Sequence, residues 1–325
     1  MDTLGRLNAE TRAIAFILVG MLCITVNDTL IKFLSDGYPL HEMVFVRSAV
    51  GLTASFVFLR MEGGMSLLRT DRPALHALRA GLIVIANMTF FAALAVMPLG
   101  AATALFFVAP LFITVLAIPV LGEPIGAPRI VAIVVGLIGV AVMMAPGVDW
   151  GGIPRWNLAL PVAAAACYAG MQVLTRKLGG QSTASAMAIY IQGTFIVVSV
   201  GFFLVAGNGR FAGDGQSEAL EFLLRAWVWP EAGDLWIFGV LGLMSAMIGY
   251  SLSQAYRLGT AAVVASYEYV ALPLAIFWGW MVFGEVPGPA VWVGIALIAG
   301  AGLAVFARER ALARPVASAR PIRRG

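Results

Sequence analysis

Leu99-Gly100-Ala101-Ala102, then Pro110, then Gly122-Glu123-Pro124 and a glycine-studded apolar run form an ordered set. The set is met again as Leu258-Gly259-Thr260-Ala261-Ala262, Pro273, Gly284-Glu285 and a last apolar run ending Ala299-Gly300-Ala301-Gly302. The step from proline to glutamate is 13 residues in the first copy and 12 in the second. The front ends correspond as well. A shift of 145 carries Lys32 onto Lys177 and Met43-Val44-Phe45-Val46-Arg47 onto Ala188-Ile189-Tyr190-Ile191-Gln192, and a shift of 144 carries Cys23 onto Cys167. Matches kept in one order along the chain mark an internal repeat, which decides architecture before any single element does.

Composition names the solvent of this fold. The chain is 61% apolar and 12% charged, with a mean hydropathy of +0.92, where a soluble domain carries about a quarter charged residues. An all-α integral membrane protein follows. At ~20 apolar residues per span, ten spans are expected near 13–34, 41–61, 76–97, 100–120, 128–145, 157–177, 184–206, 235–257, 260–283 and 289–307. The tight joins at Pro98-Leu99-Gly100 and Arg257-Leu258-Gly259 are read as breaks because Gly and Pro punctuate them. Residues 13–147 form the first repeat, 157–307 the second, and 308–325 a basic tail. Each repeat holds five spans, an odd number, so the two copies are inserted in opposite senses. With the N-terminus inside, 16 of the 21 Lys and Arg fall in inner loops and tails, Arg79 among them, and the longest loop, 207–234, is acidic and outside. This bias puts both termini in the cytoplasm.

Inverted repeats are a recurring device of secondary transporters, with binding where the repeats meet and access alternating as one part rocks on the other. ATP-driven pumping is not expected, because the only lysines, Lys32 and Lys177, follow no glycine and no phosphate-cradling loop exists. Cys23 and Cys167 fit no disulfide or metal spacing, and His41 and His76 are too scattered for a redox or metal centre, so no cofactor is expected. A membrane enzyme would need a concentrated His/Asp/Glu cluster at one face, and none is present in the sequence. A channel or structural subunit is the remaining alternative. The expected partners are a small-molecule solute, protons or an exchanged solute as coupling candidates, and the bilayer; no nucleic acid is expected.

The polar residues inside spans are the site candidates. A charged side chain at mid-membrane costs roughly 2.5–3.5 kcal/mol on insertion scales and so faces a cavity or a partner. Asp28, beside Asn27 in Cys23-Ile-Thr-Val-Asn27-Asp28-Thr-Leu-Ile-Lys32, receives a cationic group or a coupling proton, or else pairs with Lys32 or Arg47. Glu268, in Ser266-Tyr267-Glu268-Tyr269, is the second deep acid, with its flanking tyrosines as hydroxyl partners. Lys32 and Arg47 lie nearer the outer end as counter-charges; otherwise Lys32 snorkels to the headgroups, and Arg47 binds a carboxylate or phosphate or makes a structural pair. Asn87, Gln172, Gln192 and Gln254 line a cavity or hydrogen-bond between helices. Tyr168, Tyr190, Tyr250, Trp278 and Phe106 stack on a flat ligand or pack in the core, and Tyr267 is a candidate as a wall and hydroxyl partner beside Glu268. Glu123 and Glu285 are expected to meet a helix N-terminus, Pro110 and Pro273 to kink their spans, and the glycines near 136–139 and 300–302 to let helices approach. Trp227, Trp229 and Trp236 are expected in an interfacial belt.

With Leu99-Gly100, Pro110, Gly122-Glu123, Leu258-Gly259, Pro273, Gly284-Glu285 and Arg47 in place, the chain from about 13 to 307 resembles the EamA group of the drug/metabolite transporter superfamily. The resemblance implies a central cavity lined by both halves and a peripheral last span in each repeat that supports a homodimer, a monomer being the alternative. Members export amino acids and other metabolites or take up compounds such as riboflavin or S-adenosylmethionine, and the Asn27–Lys32 run resembles that uptake branch more than the average exporter. Gln192, standing where the first repeat has Arg47, departs from strict repetition, so matching polar positions are not expected to share roles. The expectation is a secondary active carrier of a small polar or amphoteric metabolite in a bacterial inner membrane. Its alternative is an uptake carrier for a larger aromatic metabolite.

Overall fold

A computed structural model describes residues 2–122, 127–145, 153–212, 217–259 and 261–313. Glu123, Pro124, Asp214, Thr260 and the tail from 314 onward lie outside the described residues. Among the described residues the chain forms thirteen α-helices and no strand: α1 (Asp2–Leu34), α2 (Leu40–Glu62), α3 (Pro73–Leu94), α4 (Leu99–Phe106), α5 (Ala109–Leu121), α6 (Ala127–Met143), α7 (Ala159–Leu178), α8 (Ala184–Ala206), α9 (Glu218–Leu224), α10 (Leu235–Leu258), α11 (Ala261–Glu268), α12 (Ala271–Phe283) and α13 (Pro289–Ala313). Seven helical segments are long and apolar enough to cross a membrane, while Ile130–Met143, Ala271–Phe283 and Pro289–Ala304 are apolar but shorter. Large apolar side chains such as Leu204, Val197 and Val131 stand exposed on the outer faces, as lipid-facing helices require.

Two helix pairs are broken by the same chemistry. Pro110 has no N–H to give the carbonyl of Phe106, and Pro273 has none for Tyr269, so neither α4–α5 nor α11–α12 can run through. Each junction tightens into i→i+3 bonds, Val108 N to Leu105 O at 3.5 Å and Val270 N to Tyr267 O at 3.2 Å. Both second pieces then end on a glycine in the left-handed region, Gly122 at φ 72° and Gly284 at φ 67°. These glycine N–H groups bond back to Ile118 O and Trp280 O at 2.9 and 3.0 Å, as a left-handed C-cap does.

The packing joins early to late helices. α1 lies along α10, α3 along α7, α2 along α8 and α6 along α13; α5 rests on α7, α12 on α1, α2 on α10 and α3 on α8. The α6–α13 crossing is close because both backbones are bare there: a Cβ added to Gly139 would sit 3.0 Å from the Gly294 carbonyl oxygen. Gly302 faces the Tyr269 ring in the same way, whereas Gly300 has open space. Trp229 and Trp236 are exposed. Trp227 is half-buried, its ring edge-on to Phe203 of α8 at 4.7 Å and Phe45 of α2 at 5.4 Å.

Candidate functional site

A cavity of about 140 Å³ lies where helices from both ends of the chain converge, bounded by α1, α2, α3, α4, α7, α8, α10, α11 and the start of α12. Of the residues singled out in the sequence, Asn27, Asp28, Arg47, Asn87, Phe106, Tyr168, Gln172, Gln192 and Glu268 line it. Aromatic rings supply much of the remaining wall, Phe90, Phe91, Phe106, Phe107, Tyr168 and Phe195.

One polar network hangs on Arg47. Its guanidinium, 4% exposed, donates to Asn27 Oδ1 at 3.2 Å and to Asn87 Oδ1 at 2.5 Å. Asn27 in turn donates from Nδ2 to Asp28 Oδ1 at 3.1 Å. The same guanidinium lies between two rings, 5.3 Å from Phe91 and 5.2 Å from Phe195, the arrangement in which a planar cation is attracted to an aromatic face. Arg47 and Asp28 thus share one chain of hydrogen bonds with Asn27 between them. From α8, Gln192 bonds Ser245 of α10, Nε2 to Oγ at 2.9 Å.

The second network hangs on Glu268, the last residue of α11, held at the break before Pro273. Its Oε1 accepts from Tyr256 OH at 2.6 Å and from Tyr168 OH at 3.0 Å, and Gln172 Nε2 donates to that Tyr168 oxygen at 2.6 Å. The flanking tyrosines are not its partners. Neighbours on a helix point about 100° apart, so neither shares the direction of Glu268; Tyr267 and Tyr269 line a groove beside α13 with Pro273 and Trp292, and the hydroxyls come from α7 and α10.

Arg79 is the residue that sequence reasoning placed wrongly. It is not an inner-loop charge but lies inside α3, 2% exposed and on the cavity wall. It donates from Nε to Thr175 Oγ1 at 2.6 Å, and its terminal nitrogens donate to Met187 O at 3.1 Å and Ser253 Oγ at 3.4 Å. Proximity to the helix start made it look like part of the Lys/Arg bias, while the apolar run after it was the signal of burial.

Six other candidates stand elsewhere. Lys32 Nζ lies 3.2 Å from Glu285 Oε1 and donates to the carbonyls of Leu94 and Met97 at 3.0 and 2.6 Å. It does not pair with Asp28. Glu285 Oε2 accepts from the Leu99 amide at 2.7 Å, so this acid does meet a helix N-terminus, that of α4 and not of the helix after it. Gln254 Nε2 donates to Glu62 Oε1 at 3.2 Å and to Tyr250 OH at 3.1 Å at the far ends of α2 and α10. Tyr190 donates to the Leu68 carbonyl and packs on His76. Tyr267 faces the α13 groove, and Trp278 packs on Phe277 with its indole N–H unpartnered among the described residues. No group of three His, Cys, Asp or Glu that could hold a metal ion occurs among the described residues.

Residues 11–145 match the EamA-like transporter family. A riboflavin transporter of Vibrio cholerae serotype O1 is 29% identical over 266 residues, covering 81% of this chain and 81% of that protein. An S-adenosylmethionine uptake transporter of Rickettsia prowazekii is 26% identical over 309 residues, 94% of this chain and 95% of that protein. A crystal structure shares the fold, with a TM-score of 0.66 at 18% identity over 92% of this chain and 99% of that one.

Proposed function

With residues 11–145 an EamA-like transporter domain and the chain a multi-pass protein of the bacterial inner membrane, we propose that it is a secondary active carrier moving a small polar or amphoteric metabolite by alternating access, without ATP. Its ten spans form two inverted five-span repeats, residues 13–147 and 157–307, with both termini cytoplasmic. The observation that carries this reading is the cavity between the halves, with Asp28 and Arg47 from the first and Glu268 from the second. The helix pairing supports the repeat. Exchanging the two halves turns α1–α10 into α7–α3, α5–α7 into α12–α1 and α2–α10 into α8–α3, while α2–α8 and α6–α13 map onto themselves.

Asp28 and Glu268 serve as the binding or coupling charges, and Asn27, Arg47, Asn87, Tyr168, Gln172 and Gln192 complete the site. Purified protein in proteoliposomes should show saturable, competable flux. D28N and E268Q should each reduce it at least tenfold with thermal stability preserved. Two folded variants that transport at the parent rate would remove the site assignment.

A second reading, uptake of a larger aromatic metabolite, is favoured by the six-ring cavity wall and by the names of the two relatives above. Labelled riboflavin and S-adenosylmethionine in the same vesicles decide it: saturable uptake of either one supports this reading, and uptake of neither sinks it.

A further inference from the structure

Arg79 is a buried cation that no acid among the described residues balances. All three of its acceptors, the hydroxyls of Thr175 and Ser253 and the carbonyl of Met187, are neutral. No carboxylate among the described residues lies within ion-pair distance of it. Buried charges in proteins are paired, and an ionisable group held unpaired inside a membrane bundle faces a ligand or ion path. Arg47, the other cavity arginine, differs: it reaches the acid Asp28 through Asn27 and is sandwiched by two rings. Glu268 receives the hydroxyls of Tyr168 and Tyr256 on its Oε1. The cavity therefore holds one compensated arginine and one uncompensated one. A guanidinium has five N–H donors in a planar fork, and Arg79 uses three of them, the longest at 3.4 Å.

We propose that Arg79 is the anion-receiving group of the cavity, so that the carried solute bears a carboxylate or a phosphate seated on this guanidinium. Planar two-point contact with such an anion is what arginine offers and lysine does not. The proposal rests on the carrier reading and narrows it: a flat solute without an anionic group is not the preferred cargo.

The test titrates the purified full chain, in non-ionic detergent free of anionic lipid, with two matched pairs. One is S-adenosylmethionine against its decarboxylated form, the other flavin mononucleotide against riboflavin, and thermal stabilisation is read at each concentration. In at least one pair the anionic member should bind tenfold or more tightly than its partner. R79K should narrow that gap and R79Q should bring the two members to one affinity. Equal affinities within both pairs, no stabilisation by any of the four, or a gap that survives R79Q would each overturn the proposal. So would stabilisation by phosphatidylglycerol that blocks the anionic solutes and is itself lost in R79Q, because the anion is then a lipid headgroup. The wild-type comparison needs no variant, so the proposal stays open to refutation even where R79Q misfolds. Absent flux in proteoliposomes with the affinity gap intact counts against the carrier reading and leaves the anion site standing.

Discussion

A lysine inside an apolar helix escapes lipid by reaching the headgroups or by finding acceptors within the bundle. Lys32 takes the second route: Glu285 and two carbonyls, one at the end of α3 and one just past it, receive its ammonium, and the same Glu285 caps the first amide of α4. Breaking a buried pair on one side costs about 3–5 kcal/mol. With side chains 13% and 23% exposed, K32M should cost less, about 1–3 kcal/mol, read as a lower Tm. The double variant K32M/E285Q should lose less than the two single losses added. Substrate affinity of the folded K32M protein should be unchanged, and a weaker affinity with an intact Tm would return Lys32 to the site. The deep acids were legible in the sequence because a charge in an apolar run has few bland explanations. Their partners were not, since a hydroxyl from a distant helix leaves no local mark: Tyr256 holds Glu268, and Tyr267 next door does not. Y256F, which removes the 2.6 Å bond, should slow transport several-fold, while Y267F stays within twofold of the parent. Equal rates for both would dissociate the hydroxyl from function.

At the scale of elements, proline placement and glycine spacing carried most of the information. The expectation of 184–206 is met by α8 residue for residue, and the breaks at Pro110 and Pro273 are where the missing N–H puts them. The short α9 went unseen: it is too polar for a span, and only the Ser217 cap, whose hydroxyl accepts from the Leu220 amide at 3.4 Å, announces it. Glycines near 136–139 and 300–302 looked alike as small-residue contacts, yet their surroundings differ. A Cβ on Gly139 would lie 2.9 Å from Ile298 Cγ1 and 3.0 Å from a backbone oxygen of α13, while Gly300 meets nothing within 4 Å. Overpacking against backbone costs about 1–3 kcal/mol, so G139A should lower Tm by several degrees and G300A should leave it level or slightly higher. A neutral G139A would mean that α6 and α13 slide apart freely.

Across the whole molecule, the two ends of the cavity are tied by different groups. Where α2 and α10 finish, Glu62 accepts from the Ser185 hydroxyl at 2.5 Å and from Gln254 at 3.2 Å, and Arg257 reaches Gln254 and the Gly179 carbonyl at 3.1 and 3.2 Å. At the opposite end Tyr38 donates to Asp234 at 2.7 Å, Glu42 accepts from the Val228 amide at 2.9 Å, and Arg225 reaches the carbonyls of Ser35 and Asp36. Both sets are made at once, so a carrier built this way must release one while keeping the other, and any bond present only in the closed state sets the population of the open one. Glu62 is the single acid among the described residues that links α2, α8 and α10. Weakening its bonds by about 1.4 kcal/mol would raise the population opened on its side tenfold. In a background with Cys23 and Cys167 replaced by alanine, S253C on the cavity wall reports that opening. An impermeant maleimide applied from the Glu62 side should label S253C several-fold faster when E62Q is added, and E42Q, acting at the other end, should not accelerate it. An unchanged rate in E62Q would mean that the Glu62 cluster does not hold its end of the cavity, and acceleration by both variants would mean that the two ends open together, which no alternating-access carrier allows.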